Sequence, residues 1–243
     1  MPQSSTRDVE LSIHISTKKI TQILTIIMAC LTITGSISAY FRFLNFPFPA
    51  SKWFYEIFSL DEELNFPAWY SSLLLLFSSG LLAIITTCKQ TDKYWNYWKN
   101  LSLIFLILSV DEAFSLHEIL IIPSLREEFD FSPLFFQTWV LFGIPAVLFF
   151  VFKYFKFLLN LPKTTRYLFM LAAIFYLSGT LGMEMVGGLL REYFGRLGII
   201  TIIGIVIEEF LEMTGILTFI YSLLRYLNSL QDMITLKIYI SEK

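Results

Sequence analysis

Six runs of mostly apolar residues dominate the chain, near 20–40, 67–87, 100–122, 133–157, 167–190 and 197–224. Each has about the 20 residues an α-helix needs to cross a bilayer core. The expected fold class is therefore all-α, a polytopic integral membrane bundle of about six transmembrane helices in one domain, 20–226. A cytoplasmic N-terminal segment, 1–19, and a cytoplasmic tail, 227–243, flank it. The first run is too long for a signal-peptide core and has no clear small-residue cleavage site, so it counts as a span.

Composition supports this reading and removes others. Charged residues make up 16% of the chain and hydrophobic ones 56%, whereas soluble domains carry about 25% charged residues. With a net charge of −2 there is no basic field for DNA or RNA, so no nucleic-acid partner is expected. Cys30 and Cys88 alone make neither a disulfide framework nor a cysteine metal site. The bilayer itself is the expected partner.

Orientation follows from the basic residues. On the side of the N-terminus lie 13 of the 18 Lys and Arg residues, from Arg7, Lys18 and Lys19 to Lys237 and Lys243. Arg42, Lys52, Arg126, Arg191 and Arg196 fall on the other side. Both termini are thus expected in the cytoplasm, in a bacterial-type plasma (inner) membrane. The outer loops also collect Glu56, Asp61, Glu62, Glu63, Glu127, Glu128, Asp130 and Glu192, which draw cations toward the outer mouth. The outer connection 41–66 is rich in Phe, Pro, Trp and Tyr, a composition that favours the headgroup level.

A shift of 97 residues lays Tyr70 on Tyr167, Asp111–Glu112 on Glu208–Glu209, and Ile119–Leu120 on Ile216–Leu217. Three spans intervene, so the echo reads as a weak 3+3 inverted repeat, a plan common among transporters.

The chemistry lies in seven acids inside the apolar runs: Asp111, Glu112 and Glu118, Glu184, then Glu208, Glu209 and Glu212. A central charge costs roughly 2.5–3.5 kcal/mol on insertion scales. No Lys or Arg lies deep in the runs to offset it. These acids must face one another, share protons, or hold a cation. On an ideal helix Asp111, Ser115 and Glu118 share one face, Glu208, Glu212 and Gly215 another, and Thr180, Glu184 and Gly187/Gly188 a third. The small residues Ser178, Gly179, Gly182, Gly187 and Gly188 are expected to let neighbouring backbones approach. Rise per residue predicts a midplane layer (Asp111, Glu112, Glu208, Glu209, Glu212) and an outer layer (His117, Glu118, Glu184). His117 is expected to point about 100–120° away from the Asp111 stripe.

Several known chemistries do not fit. Di-metal carboxylate bundles need Glu-x-x-His pairs, and here Glu112 and His117 are five residues apart. There is no His-Glu-x-x-His and no Walker A sequence. An all-oxygen set suits protons, Ca²⁺, Mg²⁺ or Mn²⁺, with a Zn or Fe site through His117 still open. Three classes of function follow. The first is a proton- or divalent-cation-coupled transporter. The second is a metal- or acid-dependent intramembrane enzyme on a lipid or isoprenoid substrate, and the third a scaffold or sensor with a structural polar network.

Overall fold

The computed structural model describes residues 16–129 and 131–230. Most of the N-terminal segment 1–19 and of the tail 227–243 lies outside the described residues, as does Asp130. Nine α-helices and no strand occur among the described residues: α1 (Thr17–Phe43), α2 (Ser51–Phe58), α3 (Phe66–Cys88), α4 (Trp95–Phe114), α5 (Pro123–Phe129), α6 (Val140–Asn160), α7 (Lys163–Leu177), α8 (Glu184–Phe194) and α9 (Ile199–Asn228). A π-helical turn, Ser178–Met183, fuses α7 to α8. Four helical segments are long and apolar enough to cross a membrane: α1, α3, α6 and the fused 163–194 helix. By length and composition these helices are compatible with a membrane protein. Helices α4 and α9, of 20 and 30 residues, carry the interior acids.

Burial sorts the helices. Half of the apolar window of α3 is covered by other helices, against 11% for α1 and α6. Helix α3 is thus interior, while α1 and α6 present Ile23, Ile26, Ile33, Phe149 and Phe152 outward, as a lipid-facing helix does. Three hydroxyls on α1 are satisfied within the helix, Thr21, Thr34 and Ser36 each donating to the carbonyl four residues back. Where no water is available, that removes their cost.

Helices α3 and α4 are held by two reciprocal serine pairs. The Ser72 hydroxyl donates to the Ser109 carbonyl at 2.7 Å and that of Ser109 to the Ser72 carbonyl at 2.9 Å. Ser79 and Ser102 repeat the exchange at 2.7 and 3.0 Å. Both pairs are spaced seven residues along antiparallel helices, so the axial register of α4 is fixed, and with it the height of Asp111. Helix α9 packs on the fused helix where side chains vanish: a Cβ on Gly215 would meet the Tyr176 backbone at 2.5 Å. Trp98 stacks on Tyr226 and Phe105 on Phe219, filling the end of the bundle away from the acids.

Two expected spans differ from the helices. The 100–122 run is not continuous: α4 stops at Phe114, Ser115 takes a left-handed conformation (φ 53), and Leu116–Leu120 form a 3-10 turn. The 133–157 run begins with a 3-10 turn at Pro133–Phe135, and its helix starts at Val140. One side chain ties the two irregular segments together. Thr138, fully buried, donates its hydroxyl to the Leu120 carbonyl at 2.6 Å and accepts the Ile122 N–H at 2.7 Å. It ties the end of the first turn to the start of α6 and satisfies backbone groups that an unbroken helix would have paired internally.

Candidate functional site

Asp111 and Glu112 sit in the last turn of α4. Because Ser115 reverses the chain, His117 folds back onto the helix end. Its backbone N–H donates to Asp111 Oδ1 at 2.7 Å, and its Nδ1 lies 3.2 Å from Asp111 Oδ2. The other ring nitrogen, Nε2, is 3.4 Å from Glu63 Oε1, and Trp139 packs edge-on against the ring with centroids 5.4 Å apart. The expectation that His117 points away from Asp111 is corrected: it assumed a helix through residue 118. The same break removes the shared face of Asp111, Ser115 and Glu118. Glu118 is exposed and lines an outer cavity instead.

His117 lies beyond the end of α4. Burial lowers its proton affinity, but hydrogen bonds and charge from Asp111 and Glu63 outweigh this and push its pKa up to about 10. It is an imidazolium at neutral pH, bridging two carboxylates.

Behind this bridge the remaining acids converge. Glu209 has Glu112, Glu63, Glu184 and Asp61 as electrostatic neighbours, and Glu212 has Glu209, Glu112, Glu208 and Glu184. Glu208, buried on α9, faces Glu184 of α8 closely enough to share a hydrogen bond, with Arg191 nearby. The two layers expected from helical rise are one continuous group, since His117 reaches Asp111 and Glu184 reaches Glu208.

Glycine makes the convergence possible. A Cβ on Gly179, inside the π turn, would sit 2.5 Å from Glu212 Cγ and 2.9 Å from the Glu208 carbonyl. A Cβ on Gly187 would lie 4.0 Å from Glu208 Oε2, and Gly188 packs on the Pro133 carbonyl. Ser178 and Gly182, also expected at helix contacts, are exposed, and a Cβ on Gly182 would meet no other helix. The π turn inserts an extra residue and rotates these positions off the packing face. Turns of this kind recur at functional sites.

The group opens to an outer cavity of about 590 Å³ lined by Asp61, Glu62, Glu63, Glu118, Gln137 and Arg191, among others. Glu63 belongs to both. Four site residues were not singled out in the sequence. Asp61 and Glu63 read there as loop acids that only draw cations, and Arg191 as an outer-loop cation. Tyr176, whose electrostatic neighbours are Glu212, Glu112, Asp111 and Glu209, reads as one more aromatic in an apolar run.

Among the described residues no three His, Cys, Asp or Glu side chains form a metal-ligating group. The arrangement does not fit a preformed Mg, Mn, Ca, Fe or Zn centre. Its chemistry is that of neighbouring carboxyls, which share or pass protons, or attract a mobile cation.

A family model described as "Domain of unknown function (DUF8692)" matches residues 24–227. The chain belongs to that family. The DUF8692 match runs from the first turns of α1 to the end of α9, so every acid of the site lies within it. No curated protein and no solved structure matches the chain.

Proposed function

We propose that this DUF8692 protein is a six-span membrane protein that moves protons or cations, as a proton- or divalent-cation-coupled transporter. One observation carries the reading: Glu63, His117 and Asp111 are in contact beside the outer cavity, and Glu112, Glu209 and Glu212 lie within electrostatic reach of one another behind them. Helix glue needs pairs, whereas passage needs a series. Interior acids of this kind mark ion pathways and proton relays in membrane proteins.

The six spans are α1, α3, α4, α6, the fused 163–194 helix and α9, with both termini cytoplasmic in a bacterial-type plasma membrane. The basic-residue bias supports this orientation. The 3+3 inverted repeat belongs to the same reading: its two acidic pairs, Asp111–Glu112 and Glu208–Glu209, are neighbours, Glu112 beside Glu209. The substrate is a cation, and no lipid substrate is invoked.

The test is flux. Purified protein in liposomes carrying an internal pH dye, with a potassium diffusion potential imposed, is expected to acidify or alkalinise the lumen. Adding Mg²⁺, Mn²⁺ or Ca²⁺ outside distinguishes uniport of protons from exchange. Folded protein that moves neither protons nor these cations under any imposed gradient would overturn the proposal.

A further inference from the structure

The outer cavity is closed on one side by a joint made of charge pairs. Asp61 binds two arginines more than a hundred positions away in sequence: its Oδ1 accepts from Arg191 Nη2 at 3.0 Å, and its Oδ2 from Arg196 Nε and Nη2, both at 3.1 Å. Glu62 Oε1 accepts from Arg196 Nη2 at 3.2 Å and lies 3.5 Å from Arg42 Nη1 at the end of α1. All of these acids, with Arg191 and Arg196, line the cavity.

Each side of the joint is internally stiff. On one side, the Asn65 carboxamide donates to the carbonyls of Ser59 (2.8 Å) and Glu62 (2.6 Å) and accepts the Ala68 N–H. Leu64 holds a left-handed conformation (φ 59), and buried Leu60 packs against Gly35 of α1. The 59–65 loop therefore moves with α1 and α3. On the other side, Gly195 (φ 76) turns α8 into α9, and the Thr201 hydroxyl donates to the Gly195 carbonyl at 2.8 Å. Arg191 and Arg196 flank that turn and move with α8 and α9.

We propose that the 59–65 loop and the α8–α9 turn form an ion-paired outer gate over the acidic interior. The inference rests on the cation-passage reading and names its regulation. The same loop presents Glu63 to His117, so parting the joint draws Glu63 away from His117 Nε2 and interrupts the series at its outermost step. The pairs differ in depth. Arg196 and Glu62 have side chains 60% and 42% exposed, whereas Asp61 and Arg191 are at 16% and 19%. The outer pairs are therefore weak and screened by salt, and the Asp61–Arg191 pair is the latch.

The test reads access and does not depend on flux. In full-length protein with Cys30→Ser and Cys88→Ser, Ser115→Cys places one thiol on the cavity wall. Its reaction with a neutral polyethylene glycol maleimide, added outside reconstituted vesicles, is timed. Asp61→Asn is expected to raise the rate severalfold. Raising NaCl is expected to raise the rate in the parent and to change it little in Asp61→Asn. Should Asp61→Asn fail to fold, the salt series on the parent decides alone. A rate indifferent both to salt and to Asp61→Asn would overturn the gate. Flux with unchanged labelling sinks this inference only, and altered labelling without flux sinks the passage reading only.

Discussion

Asp111 holds His117 at two points, receiving its backbone N–H at 2.7 Å on one carboxylate oxygen and facing its imidazole at 3.2 Å with the other. The first contact caps the turn that follows α4, and the second orients the ring toward Glu63. Asp111→Ala removes both and is expected to destabilise the protein by about 1–3 kcal/mol, the range for charged hydrogen bonds lost at a partly buried site. Asp111→Asn keeps an acceptor for the N–H and should cost less. Thermal unfolding in detergent ranks the two.

The His117 pairing carries a pH signature. Its folded pKa of about 10 lies above its ordinary 6.5, so the stability it contributes is fully present below about 6.5 and fades as pH rises through about 10. The melting-temperature gap between the parent and His117→Gln should be widest near pH 6 and narrow steadily toward pH 10.5. A gap that widens with pH would contradict the charge state assigned to the ring.

Two glycines three positions apart should behave differently from each other, against what helical spacing suggests. Gly179→Ala drives a Cβ into Glu212 and the Glu208 carbonyl, and overpacking of this kind costs about 1–3 kcal/mol. Gly182→Ala meets only the Leu177 carbonyl, at an ordinary contact distance of 3.9 Å, and should stay within about 0.5 kcal/mol of the parent. Comparing their melting temperatures tests whether the π turn sets the packing face.

The Ser72–Ser109 exchange gives a double-mutant cycle. Hydrogen bonds between membrane helices average about 0.6 kcal/mol, with a maximum near 1.7. Ser72→Ala and Ser109→Ala should therefore each cost roughly that amount and add, since each removes one backbone-directed bond and leaves the other, with coupling confined to the 3.2 Å contact between the two hydroxyls.

The sequence makes the helices and most of the acids conspicuous for one reason: a carboxylate in an apolar run is expensive wherever it faces lipid. What connects them is less legible. Nothing in Asp111–Glu118 announces a left-handed residue, because Ser115 is neither Gly nor Asn, and the turn beyond the helix is tied down by Thr138 from a different segment. Ideal helical angles therefore misplace His117 and Glu118. An inserted residue at 178–183 likewise rotates Gly182 away from α9. Asp61 and Glu63 look like solvated loop acids until the fold brings Arg191, Arg196 and His117 to them.

Glu209 has Glu112 and Glu63 as its foremost charged neighbours and is itself the foremost charged neighbour of Glu212. Glu209→Gln keeps the volume and hydrogen-bonding capacity and removes the titratable group. Proton or cation flux into liposomes, measured for Glu209→Gln beside the parent and paired with a melting curve for each, tests the central claim most directly. The account predicts a variant that melts like the parent and loses most of the flux. A folded Glu209→Gln with undiminished flux would contradict it, leaving the interior carboxyls as a structural network between helices.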